Sequence, residues 1–288
     1  MSGRRRADTG ERLTPKGALA IETIGLRKCF GSVTALDDLS ITVEPGEVYG
    51  FLGPNGAGKT TTIRLPLGLA RATSGEARLF GLDAWAEGIE AHRRLAFVPG
   101  EFPTWPTLRV GEILDLSGSI HGGHAPSTRD ELYERFEFDP SRKGRKYSKG
   151  NRQKICLIAA FMIQPGLLVL DEPTNGLDPL MEITFRHCVN EAKGRGQTVF
   201  LSSHILSEVE VVCHRVGILR AGRLIEVATL DELRRAPGYR VGADVKGGRH
   251  PVVCKTGGKD RDRHARGEHL GGPHVARVMR LWPHSPLS

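Results

Sequence analysis

The chain has 288 residues, 39% hydrophobic and 26% charged, with a net charge of +8. That is an ordinary globular composition, long enough for one or two domains. It contains no apolar run of the roughly 18 residues that reads as a membrane span. The five cysteines, Cys29, Cys156, Cys188, Cys213 and Cys254, follow neither metal-ligand nor framework spacing, which argues against a disulfide scaffold and suits a reducing compartment. The basic excess is partly terminal, in "GRRR" at the start and in the Arg, Lys and His of the end. Charge alone therefore does not choose among nucleic acid, an anionic membrane surface and phosphate ligands.

Residues 1–18 are basic and precede no apolar segment, so they read as a disordered arm rather than a secretory signal. From about Ala18 to Arg235, strand-like and helix-like stretches alternate. "GEVYGFLG" reads as a buried strand and "KTTTIRLPLGLA" as a helix, which Pro66 should kink or shorten by removing a backbone donor. "GEARLFG" and "RRLAFVPG" read as strands. The Pro- and Trp-containing loop "GEFPTWPTLRV" comes next, then helices in "VGEILDLSGSI" and "RDELYERFEF". "GLLVLDEP" is a fully apolar strand, "PLMEITFRHCVNEAKGRG" an amphipathic helix ending at glycines, "TVFLSSH" a strand and "ILSEVEVVCH" a helix. Two short strands flank "RAG" in "RVGILRAGRLIEVA". This alternation implies an α/β fold with a largely parallel sheet covered on both faces. From Val241 to Ser288 there is no Ile, Phe or Tyr, while Gly, Arg and His abound. Residues 241–288 are therefore expected to be a basic, disordered tail. The abrupt change after Gly238 also fits a shifted reading frame.

"GPNGAGKTT" spans Gly53, Pro54, Asn55, Gly56, Ala57, Gly58, Lys59, Thr60 and Thr61. It fits G-x-x-x-x-G-K-[ST] between an expected strand and an expected helix, the context that a phosphate loop requires. Its glycines let successive backbone N–H groups face phosphate oxygens at a helix N-terminus. Lys59 would neutralise the β- and γ-phosphates, and Thr60 would place its hydroxyl on Mg²⁺. "LLVLDEPT" delivers Asp171 to a strand end as a second Mg²⁺ ligand, with Glu172 beside it as general base for water. A glycine turn and a charged strand end are the plainer readings of each segment alone. Together the two segments point to nucleoside triphosphate hydrolysis.

Further motifs carry a resemblance. "YSKGNRQK" precedes "LDEPT", and it resembles the signature of ABC transporter ATP-binding subunits. Ser148 and Gly150 match L-S-G-G-Q, while Tyr147, Lys149 and Asn151 depart from it. A polar helix cap is the competing reading. "GLDP" supplies Asp178, matching the D-loop; "LSSH" supplies His204, matching the switch histidine that contacts the γ-phosphate; Phe30 in "RKCFGSVTALDDLS" matches the aromatic that stacks on adenine, with a core role as its alternative. The resemblance covers about residues 19–240 and, within the drug-exporter (ABC-2) type, implies a P-loop NTPase ABC cassette. Its parts would be a RecA-like mixed sheet core, an antiparallel β subdomain and a helical signature subdomain at about 103–160.

It also implies ATP and Mg²⁺ as ligands and a homodimer or heterodimer with a second ATP-binding subunit. A separate transmembrane permease subunit would hold the cassette peripherally at the cytoplasmic face of the membrane, to power export, with no direct nucleic-acid contact. A soluble ABC ATPase acting on nucleic acid or ribosomes is the alternative. Where the family usually carries a glutamine that touches the metal and its water, this chain has Gly100. Either Glu101 or a rearranged loop takes over that contact, or the contact is missing. Phe102 and Trp105 follow in the region where the family meets its membrane subunits, with a core role as the alternative.

Overall fold

The structure, a computed structural model, describes residues 17–100, 110–121, 126–140 and 147–235. Glu101, Phe102, Trp105, most of the amino-terminal arm and the 241–288 tail lie outside the described residues. The chain divides into two units, Met1–Thr229 and Leu230–Ser288. In the second, the described residues form one helix, Leu230–Arg235.

In the first unit the strands are β1 (Ile21–Phe30), β2 (Val33–Val43), β3 (Val48–Leu52), β4 (Ser74–Leu79), β5 (Leu82–Asp83), β6 (Leu95–Val98), β7 (Leu167–Asp171), β8 (Thr198–Ser203), β9 (Arg215–Arg220) and β10 (Arg223–Thr229). The helices are α1 (Lys59–Arg64), α2 (Gly88–His92), α3 (Val110–Ile120), α4 (Pro126–Arg135), α5 (Lys149–Met162), α6 (Pro179–Gly194) and α7 (Leu206–Val212). A six-stranded sheet runs in the order β10-β9-β3-β8-β7-β6. Its neighbours pair in parallel from β9 to β6, and β10 closes the edge antiparallel to β9. A second sheet, β2-β1-β4-β5, is antiparallel throughout. The largely parallel sheet expected from the alternating segments is the six-stranded one, and the antiparallel β subdomain that the resemblance implies is the second. The β1–β2 and β4–β5 connections are too short for a crossover, so those neighbours must pair antiparallel; β1 and β4, far apart in sequence, pair antiparallel as well.

β3, β7 and β8 are buried along their whole length, as strands covered on both faces must be. On one face Tyr49, Phe51, Val169 and Phe200 pack with Ile63 of α1 and with Leu36, Leu39 and Ile41 of the antiparallel sheet. On the other, the side chains of Val209 and Cys213 close on Gly50 so tightly that a Cβ there would lie 2.1 Å from Val209 Cγ1. That places α7 directly against β3. α1 is only six residues long. Pro66 has no N–H to continue its ladder, and the chain leaves the helix through turns that Gly68 N closes on Leu65 O.

Candidate active site

The parallel order sets the carboxyl ends of β3, β7 and β8 side by side, so the segments leaving those strands meet in one place. β3 ends at Leu52 and α1 begins at Lys59, leaving Gly53 to Gly58 as the connecting loop. Gly53 N donates to Ser203 O at 3.2 Å, fastening the loop to the end of β8. Gly58 caps α1 at φ +109, and a Cβ there would lie 2.8 Å from Ala35 O. Both the backbone region and the space exclude a side chain.

Lys59 is buried. Its Nζ donates to Gly53 O at 2.5 Å and Pro54 O at 3.2 Å, and it pairs with Glu172 Oε1 at 3.0 Å. Thr60 Oγ1 donates to Asp171 Oδ2 at 2.8 Å. The other oxygen of Asp171 accepts from Ser202 Oγ at 2.6 Å, and the same Ser202 Oγ accepts from Glu172 N at 3.1 Å. Glu172 Oε2 lies 2.6 Å from His204 Nδ1. Glu172 itself sits at φ +48, a conformation costing roughly 1–3 kcal/mol for a residue with a Cβ that persists only where its surroundings fix it.

Lys59, Thr60, Asp171, Glu172 and His204 border a cleft of about 620 Å³, lined also by Asn55, Gly56, Thr61 and Gly100. A Cβ on Gly100 would lie 3.3 Å from Asp171 O and 3.6 Å from its Oδ2, so any side chain at this position begins against the Asp171 carboxylate. Among the described residues no group of three or more His, Cys, Asp or Glu could enclose a metal. The converging hydroxyl and carboxylate oxygens of Thr60 and Asp171 suit Mg²⁺, which takes one or two protein oxygens and completes its shell with phosphates and water.

Three of the sequence-derived positions stand apart from this cleft. Ser148 is the N-cap of α5 and accepts from Asn151 N at 3.3 Å, the geometry of the polar-cap reading. Gly150 approaches the turn after Glu172 so closely that a Cβ would lie 2.5 Å from Gly176 O. Lys149 Nζ and Gln153 Nε2 bond to Asn175 Oδ1 and Pro173 O in that same turn. Asp178 is the N-cap of α6, accepting from Met181 N at 3.0 Å. Phe30 is not a core residue: it is 55% exposed at the end of β1. Lys28 Nζ lies 4.8 Å over its ring, and Val33, its partner across the hairpin, lines the cleft.

The ABC transporter family model matches residues 36–175. The bacitracin transport ATP-binding protein BcrA of Bacillus licheniformis is 39% identical over 218 residues, covering 75% of this chain and 71% of that protein. This chain belongs to the ABC transporter ATP-binding family. The daunorubicin resistance ATP-binding protein DrrA3 of Streptomyces coeruleorubidus is 36% identical, covering 83% of this chain and 75% of that one. A solved ATP-binding subunit of an ABC transporter superposes with a TM-score of 0.69 at 31% identity, over 75% of this chain and 92% of that one. A dimeric cassette solved with ADP and Pi, at 20% identity and a TM-score of 0.66, shares the fold. As an ABC cassette the chain binds and hydrolyses ATP as part of a transporter, and the reading as a soluble ATPase on nucleic acid or ribosomes finds no support among these relatives. No helix among the described residues is long and apolar enough to cross a membrane.

The motifs did not reveal Ser202, Ser203, Thr174 or Glu208. Ser202 and Ser203 stand inside "LSSH", and a small hydroxyl just before the histidine is a faint signal. Thr174 closes the quoted "LLVLDEPT", where nothing marks its hydroxyl for a role, and Glu208 enters only through tertiary contact.

Proposed function

We propose that this chain drives export through a separate membrane subunit, with Thr60, Asp171, Glu172, His204 and Lys59 carrying ATP binding and hydrolysis. The observation that carries this reading is the meeting of these five side chains at the ends of β3, β7 and β8. The phosphate loop from Gly53 to Thr61 receives the phosphates through backbone N–H groups. Lys59 exchanges its Glu172 partner for β- and γ-phosphate oxygens as ATP enters. That releases the Glu172 carboxylate to take a proton from the attacking water. His204, 2.6 Å from Glu172, orients that carboxylate and faces the γ-phosphate. Mg²⁺ held by Thr60 and Asp171 supplies charge neutralisation on the phosphates.

Ser148, Gly150 and Asp178 lie off the chain's own cleft, which supports their serving the nucleotide of a second ATP-binding subunit, in a homodimer or heterodimer. Phe30, exposed beside the cleft wall, is free to stack on adenine. Relatives named for bacitracin transport, daunorubicin resistance and linearmycin resistance support an exporter. We place the cassette peripherally on the cytoplasmic face of the membrane.

The test is capture from solubilised membranes with the Glu172→Gln chain and ATP as bait. Recovery of a polytopic membrane protein is the expected result. Recovery of ribosomes or DNA alone would overturn the transporter assignment for this chain.

A further inference from the structure

Glu208, on α7, belongs to none of the sequence motifs, yet it joins both sides of the hydrolytic pair from behind. Its Oε2 accepts from Ser203 Oγ at 2.5 Å and its Oε1 accepts from Thr174 Oγ1 at 2.8 Å. Ser203 precedes His204, and its hydroxyl also accepts from Ile205 N at 2.9 Å, so one oxygen anchors the backbone on both flanks of the histidine. Thr174 lies in the turn that follows Glu172, closed by Asn175 N on Glu172 O at 3.1 Å and by Leu177 N on Thr174 O at 2.9 Å. Ser203 and Thr174 are both buried.

An ionised carboxylate only accepts, so Glu208 fixes both hydroxyls as donors and removes their rotational freedom. Ser202 links Asp171 and Glu172 across the front of the same two strand ends. Glu208 is a second tie between the same two segments, through Ser203 and Thr174. Glu172 at φ +48 needs such over-determination to stay in place.

We propose that Glu208 is a positioning residue for hydrolysis. By gripping Ser203 and Thr174 it sets the spacing of His204 and Glu172, without touching either. This rests on the reading of Glu172 and His204 as the hydrolytic pair. Among the described residues Glu208 makes no hydrogen bond to the phosphate loop itself, and its one link to that loop runs through the Ser203 backbone, whose O holds Gly53 N at 3.2 Å, so its loss falls on turnover far more than on nucleotide affinity. Glutamine at 208 keeps an acceptor for one hydroxyl and offers an N–H to the oxygen of the other, so it restores most of the grip.

The experiment uses the full-length chain and compares Glu208→Ala, Glu208→Gln, Thr174→Val, the Glu208→Ala/Thr174→Val double variant and Glu172→Gln with the wild type. It measures kcat at saturating ATP, Kd for a fluorescent ATP analogue, and Tm. Misplacing a catalytic group by about 1 Å costs about 100-fold, so Glu208→Ala is expected to lose about 10- to 100-fold in kcat with Kd within about twofold. Glu208→Gln is expected to stay within about threefold of wild type, and Thr174→Val to add nothing in the Glu208→Ala background. Wild-type kcat in Glu208→Ala, or equal loss of kcat and Kd in both Glu208 variants, would overturn the proposal. If Glu208→Ala does not fold, Thr174→Val decides: lowered kcat at unchanged Kd supports the proposal and wild-type kcat overturns it. Normal turnover in Glu172→Gln would remove the underlying pair. An inert Glu172→Gln beside a fully active Glu208→Ala would remove only the role of Glu208.

Discussion

Replacing Ser202 with alanine removes one oxygen and breaks two contacts in a place water does not reach. Ser202 is fully buried, and Asp171 is 2% exposed. The hydroxyl donates to Asp171 Oδ1 at 2.6 Å and accepts from Glu172 N at 3.1 Å. A hydrogen bond to a charged group contributes about 1.5–3 kcal/mol, and an orphaned buried N–H costs about 1–3 kcal/mol. The two losses share one atom, and local relaxation overlaps them, so we expect about 2–4 kcal/mol in total. At about 2–4 °C per kcal/mol for a domain of this size, Tm should fall by about 5–15 °C. Urea unfolding followed by circular dichroism measures the free-energy loss and a thermal melt the fall in Tm, both without nucleotide so that ligand binding does not contribute. A loss below about 0.5 kcal/mol would refute the view that Ser202 carries both contacts.

Three further outcomes follow from the same geometry. Burial, helped by Lys193, holds the imidazole of His214 below its ordinary range, and its Nδ1 accepts from Val48 N at 2.9 Å. The contribution of His214 to stability is therefore complete above its unfolded pKa of about 6.5 and is lost as pH falls through the lowered folded value. His214→Asn keeps an acceptor and should flatten the stability slope between about pH 7 and 5; an unchanged slope would contradict the assignment. Arg135 forks onto Glu191 with two 2.9 Å bonds, and this hydrogen bonding holds the Glu191 carboxyl below the usual carboxylate range. Glu191 is half exposed, so a double-mutant cycle should give only about 0.5–1 kcal/mol, present at neutral pH and lost on acidification through the carboxylate range. Gly150→Ala would drive a Cβ to 2.5 Å from Gly176 O. It should cost about 1–3 kcal/mol by overpacking, and a variant as stable as wild type would show that the turn moves freely.

The elements that could be read from the sequence were those whose signal is continuous along the chain. β3, β7 and β8 are unbroken apolar runs, and the phosphate loop, Asp171, Glu172 and His204 follow directly from their ends. β1 and β2 gave no clear alternation because their pairing shifts register between Thr23 and Leu26 and again before Lys28 and Cys29; each shift moves side chains to the other face. α5 was legible only at its Ser148 cap. The shortening of the "KTTTIRLPLGLA" helix by Pro66 was legible too, and the helix ends at Arg64. Ser202, Thr174 and Glu208 stayed hidden for a different reason. A serine, a threonine and a glutamate are ordinary at strand ends and on helices, and what singles these three out is a set of hydrogen bonds spanning about 30 residues of sequence, with no local pattern to betray it. Phe30 shows the converse: the motif singled it out, and its exposure at a strand end separates it from the core phenylalanines Phe51 and Phe200.

The central claim is that Glu172 is the base for ATP hydrolysis in a site completed by a second chain. The measurement that tests it most directly is turnover and solution mass of Glu172→Gln with and without ATP. Loss of a positioned general base costs about 100-fold or more, so the account predicts nucleotide binding with near-absent hydrolysis and an ATP-dependent doubling of mass. Wild-type turnover in that variant would contradict the account at its base.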